Sequence, residues 1–479
     1  MPSMMRQNAR RGLVGLLAAA ILAVAFAVVA PAGAAPESSG GGRIPMRFSW
    51  MRGYDDPATP NELDRVGVLR IGSARARNVL VLSPGTSAGA GYFVPLARDI
   101  VRQTHGRWQV WSVERRENQL EDHSVLDRAK QGDATPQELF DYYLGWIDDP
   151  SITDHFQFIP DEDVAYARGW GMNVEIEDLH RVVRAARWGG HRVVLGGHSL
   201  GGSITTAYAT WDFGGRPGAD NLDGLVYIDG GSGPNPVTPE QARSSLASLQ
   251  TGTPWLAFGG IPAPYLGLFS SGGAFLALSD PDSPSIGQNF RLLPANIKAP
   301  VPATNEAQFG YAVDTDTSPA SLWAAQVHAG HLAASGDPRG WDQAGDISPI
   351  GRYAAMLSGY GILGHDGNAW YHPQRLTIDS GAVAAGNANP AQEILGVKAT
   401  HGHDLDPSLR IYAFGAAGGQ AIVDTAQVLA DQSGIPAGNL TLVQRAGAYA
   451  HNDPSAASPD NDFLENLIPF LTTVARPGR

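Results

Sequence analysis

The residues best suited to chemistry are Gly197-His198-Ser199-Leu200-Gly201, between an apolar run at 192–196 and a helix-like stretch at 203–211. A serine perched on a sharp strand-to-helix turn presents its hydroxyl at the edge of a sheet. Side chains two positions before or after it would collide, so glycine is needed there. The same turn aims the helix N-terminus and the Leu200 N–H at the point where charge develops on a substrate oxygen. Gly202 adds close packing, and the pattern predicts nucleophilic attack by Ser199.

A serine hydroxyl attacks only once a base takes its proton. His451 follows an apolar strand at 440–443 through a short loop and precedes Asn452-Asp453-Pro454, so it is the predicted base. Most of the other histidines fall before the elbow or inside a long insertion. An acid must orient the imidazole, and the strand at 409–414 runs into Gly415-Ala416-Ala417-Gly418-Gly419 with no carboxylate. The strand at 225–228 instead ends in Asp229-Gly230-Gly231, which makes Asp229 the predicted acid, against the alternative of an aspartate in an ordinary turn. Asp424 falls too far into a helix, and Asp404 and Asp406 at the wrong end of their strand. A second oxyanion donor is expected from the Thr86 N–H in Ser83-Pro84-Gly85-Thr86-Ser87, unless that segment is a plain connecting turn.

These groups need a rigid frame. Apolar runs at 79–82, 108–113, 192–196, 225–228, 409–414 and 440–443 read as strands. Helical periodicity appears at 94–102, 174–188, 204–211, 421–432 and 463–474. The alternation predicts a mostly parallel sheet with helices on both faces. Two long stretches interrupt it, about 115–172 and 233–406. The second, rich in Gly, Pro and aromatics including Trp255, Trp323, Trp341 and Trp370, is expected to form a lid over the strand ends. The core is therefore expected at 44–232 and 407–479, and the lid tryptophans read first as packing residues.

Composition narrows the function further. The chain has 479 residues, 43% hydrophobic and 17% charged, with a formal charge of −13, which disfavours nucleic acid and anionic membranes as partners. With no cysteine, thiolate nucleophiles, Cys-based zinc sites and disulfides are excluded. Residues 1–34 read as a signal peptide: Arg6, Arg10 and Arg11, an apolar run at 13–30, and Ala32-Gly33-Ala34 as the cleavage site. A flexible linker follows at 35–43. Export is expected without stable membrane insertion after cleavage, the alternative being an uncleaved anchor. The pair Arg10-Arg11 leaves the export route open. No phosphate-cradling or dinucleotide-binding glycine pattern is present, so no cofactor is expected. His328-Ala329-Gly330-His331 and His401-Gly402-His403-Asp404 lack the context of a zinc protease, and no metal is expected.

Taken together, Pro84-Gly85-Thr86, the elbow at 197–201, Asp229 and His451 resemble the α/β-hydrolase superfamily, particularly exported bacterial esterases and lipases, over residues 66–231 and 407–474. The resemblance implies an eight-stranded, mostly parallel sheet, a Ser-Asp-His triad and an acyl-enzyme mechanism on a small or lipid-like ester. The chain departs from it in lacking an acid after the later strand and in having Pro84 where many members have histidine. A serine peptidase, for which Asp280, Asp282, Asp314 and Asp316 could grip a peptide amine, and an acyltransferase are the rival readings on the same fold. A non-catalytic exported binding protein is the rival from another class.

Overall fold

The computed structural model describes residues 43–258, 260–327, 331–345, 347–361 and 365–475. The expected signal peptide, all of the linker but Arg43, and His328 lie outside the described residues.

Eight strands form one sheet: β1 (Met46–Arg52), β2 (Arg65–Ile71), β3 (Asn78–Ser83), β4 (Trp108–Glu114), β5 (Arg192–His198), β6 (Gly224–Ile228), β7 (Arg410–Gly415) and β8 (Leu440–Gln444). Their spatial order is β1-β2-β4-β3-β5-β6-β7-β8. β2 runs antiparallel to both of its neighbours, and the pairs from β4 to β8 are parallel. Six of these strands coincide with the apolar runs of the sequence. β1 and β2 were not among them.

Period-two alternation sorts the buried side chains between two layers. Leu80, Leu82, Val194, Val226, Ile228, Tyr412 and Phe414 face the helices Val94–Gln103 and Asp462–Ala475. Val79, Val81, Val193, Leu195, Leu225, Tyr227, Ile411 and Ala413 face Met172–Arg187, Leu200–Thr210 and Gly419–Gln432. In a chain without cysteine, these layers supply the stability that cross-links would otherwise provide, at roughly 1.5–3 kcal/mol for each large aliphatic side chain fully buried.

The stretch 233–406 contributes to all three apolar clusters. Its helices Tyr265–Ser279, Asn305–Val313 and Ile350–Ser358 join the first layer through Ala274, Phe309 and Tyr353. Pro239–Thr251, Gln374–Ser380 and Pro390–Leu395 pack on the opposite face through Ala242, Leu376 and Leu395. A third apolar cluster joins the insertion 115–172, through Leu139, Tyr143 and Phe156, to Leu268, Phe275 and Trp370. Trp255, Trp323, Trp341 and Trp370 are all buried in packing. No helix among the described residues is long and apolar enough to cross a membrane.

Candidate active site

β5 delivers Ser199 to the edge of the sheet, and the helix Leu200–Thr210 starts on the next residue. Ser199 has φ 56° and ψ −123°, a conformation that L side chains rarely adopt. Two hydrogen bonds hold it, from Ser199 N to the Ile228 carbonyl (3.0 Å) and from Gly202 N to the Ser199 carbonyl (2.9 Å). The flanking glycines are required by contact: a Cβ on Gly197 would run into the Gly201 carbonyl, and one on Gly201 into the Ser83 carbonyl.

β6 pairs with β5 on one side and β7 on the other, so Asp229 leaves the sheet one strand from Ser199. Its Oδ2 lies 2.6 Å from His451 Nδ1. Its Oδ1 accepts from Ala416 N (2.8 Å) and Gly418 N (2.9 Å). The carboxylate missing after β7 is thereby explained: the loop there contributes two backbone donors that hold the acid arriving from β6. Asp229 is nearly fully buried, while His451 stays part-exposed.

The sequence located His198 only as part of the elbow. In the structure its ring is buried, 4.4 Å centroid to centroid from that of His451, and its Nε2 donates to the His451 carbonyl (2.9 Å). Burial, with the neighbouring His451, pushes its pKa well below the usual imidazole value, so it stays neutral. Tyr92 stacks on it and donates to Asn452 Oδ1 (2.8 Å). Asn452 Nδ2 in turn donates to the Leu322 (3.2 Å) and Ala324 (3.0 Å) carbonyls, and Asp453 accepts from Ala450 N (2.6 Å), Gln326 N (2.9 Å) and Ser348 Oγ (2.8 Å). The insertion thus braces the loop that carries His451. Among the described residues no hydrogen bond joins Ser199 Oγ to His451; such contacts often tighten only when substrate arrives.

Thr86 follows β3, and a Cβ on Gly85 would lie 2.9 Å from that of Ser199, so the segment lies directly against the elbow. Ala90 N, farther along, donates to Glu114 Oε2 (2.5 Å).

An α/β sheet with an antiparallel second strand, a strained serine elbow after β5, an acid after β6 and a histidine after the last strand decides the architecture. The fold is that of an α/β-hydrolase. No family model and no curated protein matches this chain. Among solved structures it is similar to a putative lipase from Sulfolobus solfataricus, at 14% identity over 91% of this chain and 94% of that one, with a TM-score of 0.42. A carboxyl esterase from Bacillus coagulans shares 12% identity over 90% and 98% of the two chains (TM-score 0.40), and the thioesterase domain of the curacin biosynthetic pathway 10% over 90% and 99% (TM-score 0.39).

Two further groups in this hydrolase fold bring metal-type donor atoms within 4.8 Å of one another: Glu121, His123 and Asp366, and Asp314, Asp316 and His331. Protein contacts engage them. Glu121 meets His123 Nε2 (2.6 Å) and accepts from Trp370 N (2.7 Å), and Asp366 accepts from Ser271 Oγ (2.8 Å). Asp314 accepts from Asp316 N (2.9 Å) and Val327 N (3.1 Å). His401 sits between Asp404 and Asp212.

Burial pushes the Glu114 and Glu175 carboxyls up to about 8. Between the usual carboxylate range and about pH 8, the folded protein keeps protons that the unfolded chain releases, so stability falls as pH rises through that window. Depressed His198 and His372 act only below about pH 6.5, in the opposite sense. The melting temperature is therefore expected to drop by at least about 3 °C between pH 6.5 and 9. Glu175→Gln, which mimics the neutral acid, should flatten the slope in differential scanning calorimetry. A melting temperature that rises over this range contradicts the assignment.

Proposed function

We propose that the protein is an exported serine hydrolase that cleaves carboxylic esters. His451, oriented by Asp229, takes the Ser199 proton. Ser199 Oγ attacks the ester carbonyl while the Thr86 and Leu200 amides hold the oxyanion, and the imidazolium returns its proton to the departing alcohol. Water then attacks the acyl-enzyme by the reverse proton path, releasing the acid and restoring Ser199. The observation carrying this reading is the 2.6 Å contact between Asp229 and the Nδ1 of a part-exposed histidine beside the elbow.

An ester with an apolar acyl group is favoured over a peptide by the cavity between the helices Tyr265–Ser279 and Asn305–Val313. Its volume is about 170 Å³, and among the described residues no charged side chain lines it. None of Ser199, Leu200, Thr86 and His451 lines it; it nears the site through Leu322 and Trp323, in the segment that braces Asn452 next to His451. None of Asp280, Asp282, Asp314 and Asp316 lines it.

A panel of p-nitrophenyl esters and aminoacyl amides tests this. With about 0.8 kcal/mol per buried methylene, kcat/KM should rise about fourfold per added carbon from acetate to at least octanoate. Turnover of amides with esters untouched would favour the peptidase reading and overturn this one.

A further inference from the structure

The segment that would supply Thr86 has its outward carbonyls gathered by one side chain. Arg115, just past β4, is buried. Its Nη1 donates to the Pro84 carbonyl (2.9 Å), and its Nη2 to those of Gly85 (2.8 Å) and Ala88 (3.2 Å). Its Nε donates to Glu117 Oε1 (2.7 Å), a carboxylate as deeply buried as the guanidinium. Three of the five backbone carbonyls between Pro84 and Ala88 thus converge on a single planar cation, which only arginine can offer as a fork.

The consequence lies in the peptide plane. In a trans peptide the C=O of one residue and the N–H of the next point in opposite directions. Drawing the Gly85 carbonyl toward Arg115 therefore turns the Thr86 N–H away from Arg115. Gly85 at the same time lies against Ser199. The far edge of the loop is held independently: Ala369 N donates to the Ser87 carbonyl (2.8 Å), Gly89 N to the Gly367 carbonyl (3.0 Å), and Ala90 N to Glu114. That edge keeps these bonds besides the one from Arg115 to Ala88, whereas the Pro84 and Gly85 carbonyls beside the Thr86 amide are gathered by the guanidinium.

We infer that Arg115 is a positioning residue for the oxyanion hole, setting the direction of the Thr86 amide from behind through the Pro84, Gly85 and Ala88 carbonyls. This rests on the serine-hydrolase reading. An amide aimed in advance at the developing oxyanion acts on the transition state and leaves ground-state binding nearly untouched.

The test is Arg115→Lys, which keeps a cation beside Glu117 but cannot hold three carbonyls in one plane. kcat for a p-nitrophenyl ester should fall about 10²-fold with KM changed less than about threefold, because one oxyanion donor is misdirected. Affinity for an alkyl trifluoromethyl ketone, whose serine adduct carries the tetrahedral oxyanion, should fall in parallel with kcat/KM. Glu117→Gln, which leaves the guanidinium bonded but removes the opposing charge, should lower kcat about fivefold at unchanged KM. It keeps the question open to decision if the lysine variant does not fold. Unchanged kcat in a folded variant, or a loss appearing entirely in KM, overturns the role of Arg115 while active wild-type protein leaves the hydrolase reading standing. Wild-type protein inert toward esters removes that reading first.

Discussion

Ser199→Ala is expected to lower kcat for a p-nitrophenyl ester by about 10⁴-fold or more, with the melting temperature nearly unchanged. The side chain holds no structural hydrogen bond among the described residues, and the elbow is fixed by backbone contacts to Ile228 and Gly202 that alanine preserves. The left-handed conformation costs alanine much as it costs serine. Ester binding should survive, so KM should move little. Residual turnover should remain above that of water, because the oxyanion donors and the bound geometry persist. A variant retaining a tenth of the wild-type kcat would mean that another group performs the attack.

Asp229→Asn should cost about 10⁴-fold in kcat, through a mechanism the hydrogen bonds specify. Oδ1 of Asp229 accepts from both Ala416 N and Gly418 N. An asparagine there must keep its oxygen on that side, and its amide nitrogen then faces His451 Nδ1. That nitrogen becomes an acceptor, the proton moves to Nε2, and the imidazole can no longer receive the serine proton. The fold should tolerate the change, since both backbone donors stay satisfied. Measured kcat across pH 6–9 should be low throughout; recovery to wild-type levels at any pH in that range would place the orienting acid elsewhere.

The legibility of the sequence followed how locally each feature is determined. β3, β5, β6 and β7 are covered on both faces, so they stand out as continuous apolar runs. β1 has a single neighbour and only partly buried side chains, with Arg47 and Arg52 within it, and it leaves no such run. The elbow was readable because Gly197 and Gly201 stand two positions either side of Ser199, although the contact that requires Gly201 is with the distant Ser83 carbonyl. Asp229 was readable as a carboxylate at a strand end, although the reason for its placement, the donors at Ala416 and Gly418, is separated from it by the whole insertion. The ties of His198 to the His451 carbonyl and of Arg115 to Pro84, Gly85 and Ala88 bridge 253 and 27 to 31 residues. No local pattern encodes such pairings. The division of 233–406 between the two faces of the sheet was equally hidden, because its short helices acquire their meaning only from the layer each one meets.

The measurement that bears most directly on the account is intact mass and peptide mapping after reaction with an alkyl fluorophosphonate. One phosphonyl group per chain, carried by Ser199, absent in Ser199→Ala and formed far more slowly in Asp229→Asn, is the expected result. A chain that hydrolyses esters yet takes up the label on another residue, or takes up none, would contradict it.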